Sequence, residues 1–220
     1  MAEALRVAIV GAESTGKTTL AAQLASRLAQ DTGLRVAWVP ELLREWCERS
    51  GRTPLAHEQA AILLEQHERI NAAAALHDAV VCDTTALMTA VYSRLVFEDR
   101  SLDERAITLH RRMALTLLTA LDLPWVADGH QRDGEHVREP VDALLRELLL
   151  AHHLSWAVIG GEGPARLQQA VNAVTPLLRP RAAAGPGLFT RLGQGQAVAG
   201  TAWSCACCSV AECARTPRRP

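Results

Sequence analysis

A single lysine, Lys17, occurs in this chain of 220 residues, and it stands inside Gly11-Ala-Glu-Ser-Thr-Gly16-Lys17-Thr18. All the other basic side chains among its 23 lysines and arginines are arginine. A polyphosphate-wrapping loop explains the exception: an ammonium reaches the outer phosphates as a compact point charge, where a broad planar guanidinium would not fit beside the backbone amides. The flanks agree. Leu5–Val10 is a short apolar run of strand character, and after the loop Leu20, Ala21, Leu24 and Leu28 recur at spacings of three and four, one buried face of a helix. Strand, glycine loop and helix together make a P-loop. Its backbone and side chains, Gly11, Glu13, Ser14, Thr15, Gly16, Lys17, Thr18 and Thr19, are then expected to cradle ATP, with the Thr18 hydroxyl a ligand for Mg²⁺.

The chain is long enough for one α/β domain with a sizeable core, and 49% apolar residues support folding. A net charge of −1 provides no general field toward nucleic acid or anionic membrane, so neither is expected as a partner. The N-terminal residues have no long apolar segment, and no stretch approaches the roughly 20 apolar residues of a membrane span; a cytoplasmic location is the expectation.

Four further strands are expected at Arg35–Val39, Ala79–Cys82, Pro124–Ala127 and Ser155–Ile159, separated by helical pattern at 41–49, 57–76, 86–96, 102–121, 140–153 and 164–178. Ser101 and Glu104 suggest a capping box for the helix at 102–121. Leu87, Met88, Val91 and Leu95 have the spacing of ordinary core, and Cys47 and Cys82 are expected to be buried packing residues. Alternating β and α predicts a three-layer α/β/α fold of the P-loop NTPase kind, with a five-stranded parallel sheet and its ligands beyond the carboxyl ends of the strands. From Arg179 the composition turns to Pro, Ala, Gly and Gln, which divides the chain into a domain at 1–180 and a flexible linker with a Cys-containing tail at 181–220.

The polar residues after each strand carry the chemistry. Glu41, with Arg44 one helical turn on, emerges where an acceptor would lie opposite the γ-phosphate and is placed to take a proton from an attacking hydroxyl; its alternative is to stabilise a helix N-terminus. Asp83 ends an apolar strand, the usual position of the carboxylate that orients Mg²⁺, with an N-cap role as the alternative. The charged, glycine-rich stretch from Asp128 to Pro140 reads as a lid whose Arg132 and Arg138 close over the phosphoryl group, or as a solvated surface loop. Arg166, after Gly160-Gly-Glu-Gly163, either covers the adenine or is a plain surface residue. ATP is favoured over GTP because no Asn-Lys-x-Asp occurs and the one lysine is committed to the loop.

These pieces resemble the nicotinamide riboside kinase domain of the NadR type, within the AAA-family P-loop proteins and related in plan to nucleoside and nucleotide kinases. The resemblance rests on residues 11–19, Pro40-Glu41 with Arg44-Glu45, Asp83-Thr84-Thr85 with Thr89, Asp122-Leu-Pro-Trp125-Val with Asp128-Gly129, and Arg132, and it covers about residues 5–178. It implies transfer of the ATP γ-phosphate to the 5′-hydroxyl of nicotinamide riboside or a similar nucleoside, with Lys17, Glu41, Asp83 and Arg132 catalytic and Glu41, Arg44, Trp46 and Asp128 at the acceptor. One departure is local. The family's helix after Pro-Glu usually carries tyrosines, and here Leu42 and Trp46 stand in that neighbourhood.

Cys205, Cys207, Cys208 and Cys213 crowd into the tail, where four thiolates suit tetrahedral Zn²⁺ but the adjacent pair and unpaired spacing favour a weakly ordered segment. A regulatory P-loop ATPase or nucleotide-dependent binding module is the competing reading. Lys17→Arg keeps the charge and is expected to abolish phosphoryl transfer; near-normal turnover of that variant, measured with Mg·ATP and acceptor, would undo the argument from the lone lysine.

Overall fold

The computed structural model describes residues 3–126 and 134–178. Five strands, β1 (Leu5–Val10), β2 (Val36–Val39), β3 (Ala79–Asp83), β4 (Leu115–Thr119) and β5 (Trp156–Ile159), form one sheet in the order β2-β3-β1-β4-β5. All four pairings are parallel. The helices are α1 (Lys17–Thr32), α2 (Leu42–Ser50), α3 (Gln59–Leu76), α4 (Ala86–Phe97), α5 (Asp103–His110), α6 (Arg138–Ala151) and α7 (Gly163–Leu178), with short 3₁₀ turns at Ala56–Glu58 and Glu135–Val137.

Strand periodicity explains the layers. Along β1, Val7 and Ile9 face Leu20, Leu24 and Leu28 of α1 and Val171 and Val174 of α7. Ala8 and Val10 point the other way, into a core with Ile70 of α3, Leu87 and Met88 of α4 and Leu145 of α6. Burial on both faces is why these strands read as continuous apolar runs. A smaller cluster, built around Leu63, Ala90, Leu102 and Ala106, seats α5 against α3 and α4. Cys47 and Cys82 are buried, with burial holding the Cys82 thiol up at about 12. No helix among the described residues is long and apolar enough to cross a membrane.

One strand lies elsewhere than expected. The predicted helix at 102–121 is α5 followed by β4, and Pro124–Val126 is irregular chain. Met113 to Leu121 is an apolar run that satisfies helix and strand templates alike, and periodicity cannot separate them over so short a span. The capping box is also absent: Ser101 donates from both its N–H and its hydroxyl to Asp99, and Leu102, at the N-cap of α5, makes no side-chain cap. Leu95, expected in the core, is 39% exposed. Asp128, Arg132, Cys205, Cys207, Cys208 and Cys213, singled out in the sequence, lie outside the described residues.

His110 at the end of α5 is 1% exposed and joins two buried threonines, its Nδ1 2.9 Å from Thr85 Oγ1 and its Nε2 2.7 Å from Thr116 Oγ1. Thr85 in turn caps α4, accepting from the Leu87 N–H. Burial pushes the imidazole down to about 4 from 6.5, so it folds neutral. Below pH 6.5 the unfolded chain takes a proton that the folded chain refuses until about pH 4. His110 is therefore expected to withdraw on the order of 3 kcal/mol of stability as pH falls through that window. Denaturant titrations at several pH values check this, with His110→Gln flattening the slope by close to one proton.

Candidate active site

The P-loop is sewn to the end of β4. Gly11 has φ +151°, and a Cβ there would lie 2.0 Å from Thr119 Oγ1, so only glycine permits the approach. Thr119 Oγ1 is 2.7 Å from Thr15 Oγ1 and donates to the Val10 carbonyl at 3.2 Å, while the Thr15 hydroxyl also reaches the Ala12 carbonyl at 2.7 Å. Gly16 supplies the left-handed N-cap of α1, whose first N–H groups open toward the cradle. Lys17 Nζ donates to the Ala12 carbonyl at 2.7 Å, held across the loop. Thr19 is exposed on α1, beyond the loop's inner surface.

Arg166 and Arg138 do other work than the sequence suggested. Arg166 is 4% exposed; it donates to the Thr15 carbonyl at 2.7 Å, the Gly161 carbonyl at 2.8 Å and Asp122 at 3.0 Å. It is a strut beneath the P-loop, not a surface over a base. Arg138 begins α6, 6% exposed, and donates to the Leu123 carbonyl at 2.8 Å, so it is anchored in the wall instead of carried on a lid. Asp122 accepts from both Arg166 and the Gly161 N–H, and these bonds hold its carboxyl below the usual range against the cost of burial. Ser14 joins the same loop, donating to the Val126 carbonyl at 2.8 Å.

On the other side of β1, a cavity of about 220 Å³ opens between the P-loop, α2, the segment 53–55 and α4. Glu13, Lys17, Glu41 and Arg44 give it charge. Leu43, Leu55, Tyr92 and Phe97 give it an apolar wall. Glu13 thus faces this cavity in addition to belonging to the phosphate loop.

Glu41 is freed for the cavity by a neighbour. It occupies the N-cap position of α2 but makes no capping bond. The buried Gln66 of α3 caps instead: its Oε1 accepts from the Leu42 N–H at 2.7 Å and its Nε2 donates to the Pro40 carbonyl at 3.2 Å. Burial pushes the Glu41 carboxyl up, and the nearby Asp83 adds to this; Lys17, Arg44 and a hydrogen bond from Thr84 oppose it. Thr84 has φ 66°, a costly conformation for a β-branched residue, and it is held by its N–H bond to the Ile9 carbonyl at 3.0 Å.

Asp83, 1% exposed, is likewise pushed up by burial, against the Thr18 hydroxyl, Lys17 and Arg44. Neither of its carboxylate oxygens has a well-formed hydrogen bond among the described residues. A buried carboxylate so placed beside a P-loop hydroxyl fits Mg²⁺, which takes one or two protein oxygens and completes its shell from phosphates and water. No cluster of three or more His, Cys, Asp or Glu suited to a metal occurs among the described residues, and nothing in them supports Zn²⁺.

Trp46 does not line the cavity. Leu43, Arg44 and Cys47 share the inward face of α2, and Trp46 lies about 100° round the helix from Cys47. Arg52 stacks over its ring at 4.9 Å and makes paired 2.7 Å bonds to Glu58, whose carboxylate also accepts from the Leu55 N–H. These bonds hold the Glu58 carboxyl down at about 2. Trp46 braces the cavity wall from behind. The aromatic surfaces come from α4, including the chain's one tyrosine, Tyr92. Neither Tyr92 nor Gln66 was visible as a site residue in the sequence; the apolar spacing of α4 marks Tyr92 only as one position on a mostly buried helix.

A phosphate loop at the centre of a β2-β3-β1-β4-β5 parallel sheet, with a charged cavity beside it, defines the fold of a P-loop nucleoside or nucleotide kinase. The AAA domain family matches residues 6–166, and the chain belongs to that family. No curated protein matches it. Among solved structures it resembles the NadR protein in complex with NR, with a TM-score of 0.61 and 22% identity over 79% of this chain; it spans 50% of that NadR chain. It also resembles thymidylate kinase from Ehrlichia chaffeensis, with a TM-score of 0.54 and 16% identity, covering 80% of this chain and 100% of that one. At these identities the likeness establishes the shared fold.

Gln66→Leu removes both bonds that hold the strand end beneath Glu41. It is expected to cost about 1–3 kcal/mol of stability and to lower kcat more than it changes the affinity for ATP, which chemical denaturation and steady-state kinetics would show.

Proposed function

We propose that this chain transfers the γ-phosphoryl group of ATP to the 5′-hydroxyl of a nucleoside, and that nicotinamide riboside is the preferred acceptor. The observation that carries the reading is the placement of Glu41 and Lys17 on the walls of one cavity, with Asp83 and Arg44 within electrostatic reach. The acceptor hydroxyl lies against Glu41, which takes its proton as the oxygen attacks the γ-phosphorus; the bond to the β-phosphate oxygen breaks and ADP leaves. Lys17 turns from the Ala12 carbonyl to the outer phosphates, and Arg44 balances charge on the group in transfer. Mg²⁺, when bound through Thr18 and Asp83, neutralises phosphate charge.

The cavity's charge favours this acceptor. With Lys17 committed to the phosphates, Glu13 and Glu41 outnumber Arg44 among the charged residues of the lining. Such a lining suits a nucleoside with a cationic ring, as the pyridinium of nicotinamide riboside is, better than a nucleotide with its own phosphate dianion. The NadR structure in complex with NR adds support at the level of fold.

The test incubates the protein with Mg·ATP and a panel of nucleosides that includes nicotinamide riboside. Product formation, lowered by about 10²–10⁴ in Glu41→Gln, is expected. Because Glu41 must be unprotonated and burial raises its pKa, kcat/KM should decline with falling pH at a point above the ordinary carboxylate range. ATP hydrolysis indifferent to every nucleoside would reject the reading in favour of a regulatory ATPase.

A further inference from the structure

Gln59, the first residue of α3, lines the acceptor cavity and is 4% exposed. Its side-chain oxygen is buried and has no hydrogen-bond partner among the described residues. Buried amide oxygens are nearly always paired, so one without a partner, on a residue of the cavity wall whose amide can turn about its last torsion toward an entering ligand, points to a ligand. The comparison lies on the same helix. Gln66, two turns on, has both ends of its amide engaged with backbone at the Glu41 strand end, as a structural glutamine should. Residues seven apart share a helix face and stand about 10 Å apart along it. That is comparable to the length of a nucleoside from its 5′-hydroxyl to the far edge of its base. Tyr92 and Phe97 of α4 line the same cavity and can flank a flat ring. The segment leading into Gln59 is pinned by the Arg52–Glu58 pair and the Leu55 N–H bond to Glu58, so the amide is presented from a fixed wall.

We propose that Gln59 reads the acceptor's ring: its Oε1 accepts a hydrogen bond from an N–H of an amide group on that ring, carboxamide or imide, while Tyr92 lies against the ring face. The inference rests on the cavity being the acceptor site, as in the reading above, and it assigns the feature that selects among nucleosides. It predicts that a ring lacking such an N–H is rejected, because the glutamine oxygen stays unpaired when the cavity closes on it.

Calorimetric binding to the intact protein tests this apart from turnover. Four probes are used, each with the non-hydrolysable ATP analogue present: nicotinamide riboside with a carboxamide, uridine with an imide, nicotinic acid riboside with a carboxylate, and methyl riboside with no base. At least one of the first two should bind the wild type more tightly than both of the last two. Gln59→Leu should weaken that ligand about tenfold and leave methyl riboside and the ATP analogue unmoved. Gln59→Glu retains an acceptor oxygen; it should hold the amide-bearing ligand within a few-fold while further excluding nicotinic acid riboside. The proposal is overturned if the wild type does not prefer an amide-bearing ring, or if Gln59→Leu weakens all four probes alike or none. Gln59-dependent binding without phosphoryl transfer would leave this inference standing and remove the kinase; transfer to nucleosides with no dependence on Gln59 would do the reverse.

Discussion

The threonine contact between the P-loop and β4 is the constraint on which the site depends. Thr119 meets Thr15 at 2.7 Å and the Val10 carbonyl at 3.2 Å, so the loop after β1 is fastened to the neighbouring strand at the point where it must turn. Arg166 fastens it a second time from below through the Thr15 carbonyl. A loop whose amides must converge on phosphate loses less on binding when its shape is already held. The central position of β1 makes this possible, because it has a strand on each side to tie to.

Against that fixed loop stand two carboxylates withdrawn from the water that would keep them charged. Burial raises both Glu41 and Asp83, and each is opposed by the same two cations, Lys17 and Arg44. A base is more effective as its pKa approaches the working pH, which suits the role proposed for Glu41, and a carboxylate proposed to orient a metal needs lone pairs left over from its own hydrogen bonds. The strained Thr84 sits between these two demands, on the residue after Asp83 and in reach of Glu41. Such strain persists only where the surrounding structure over-determines it. The backbone bond from Thr84 to Ile9 and the Thr85 cap on α4 are what hold it here.

Much of the phosphate loop and its surroundings was legible in the sequence, because such a loop demands fixed spacing. Glycines around Lys17, a hydroxyl after it and an acid at the end of β3 are local patterns that survive translation into structure. What stayed hidden depended on contacts across the fold. β4 lay inside an apolar run too short for periodicity to classify, and only its pairing with β1 and β5 decides it as strand. Trp46 lies off the cavity lining because one residue of helix phase separates it from Cys47, which sequence alone does not orient. Arg138 reads as a lid or surface-loop arginine and Arg166 as a cover for adenine or a surface residue, yet each is buried and bonded to backbone carbonyls that sequence cannot bring near. Gln66 and Gln59 belong to no motif, since a neutral amide announces nothing until its partners, or the lack of them, can be seen.

Gln66 also separates two kinds of change. The phosphate loop is braced from β4 and α7, whereas the far wall of the cavity is carried by α2, α3 and α4, with α3 holding the start of α2 through the Gln66 amide and the Arg69–Glu45 pair at 2.6 Å. Mutations that shift α3 can therefore reshape the side of the cavity that faces the phosphate loop while the loop keeps its own braces. Drift on a single helix could then change what the cavity admits while the phosphate loop is inherited intact.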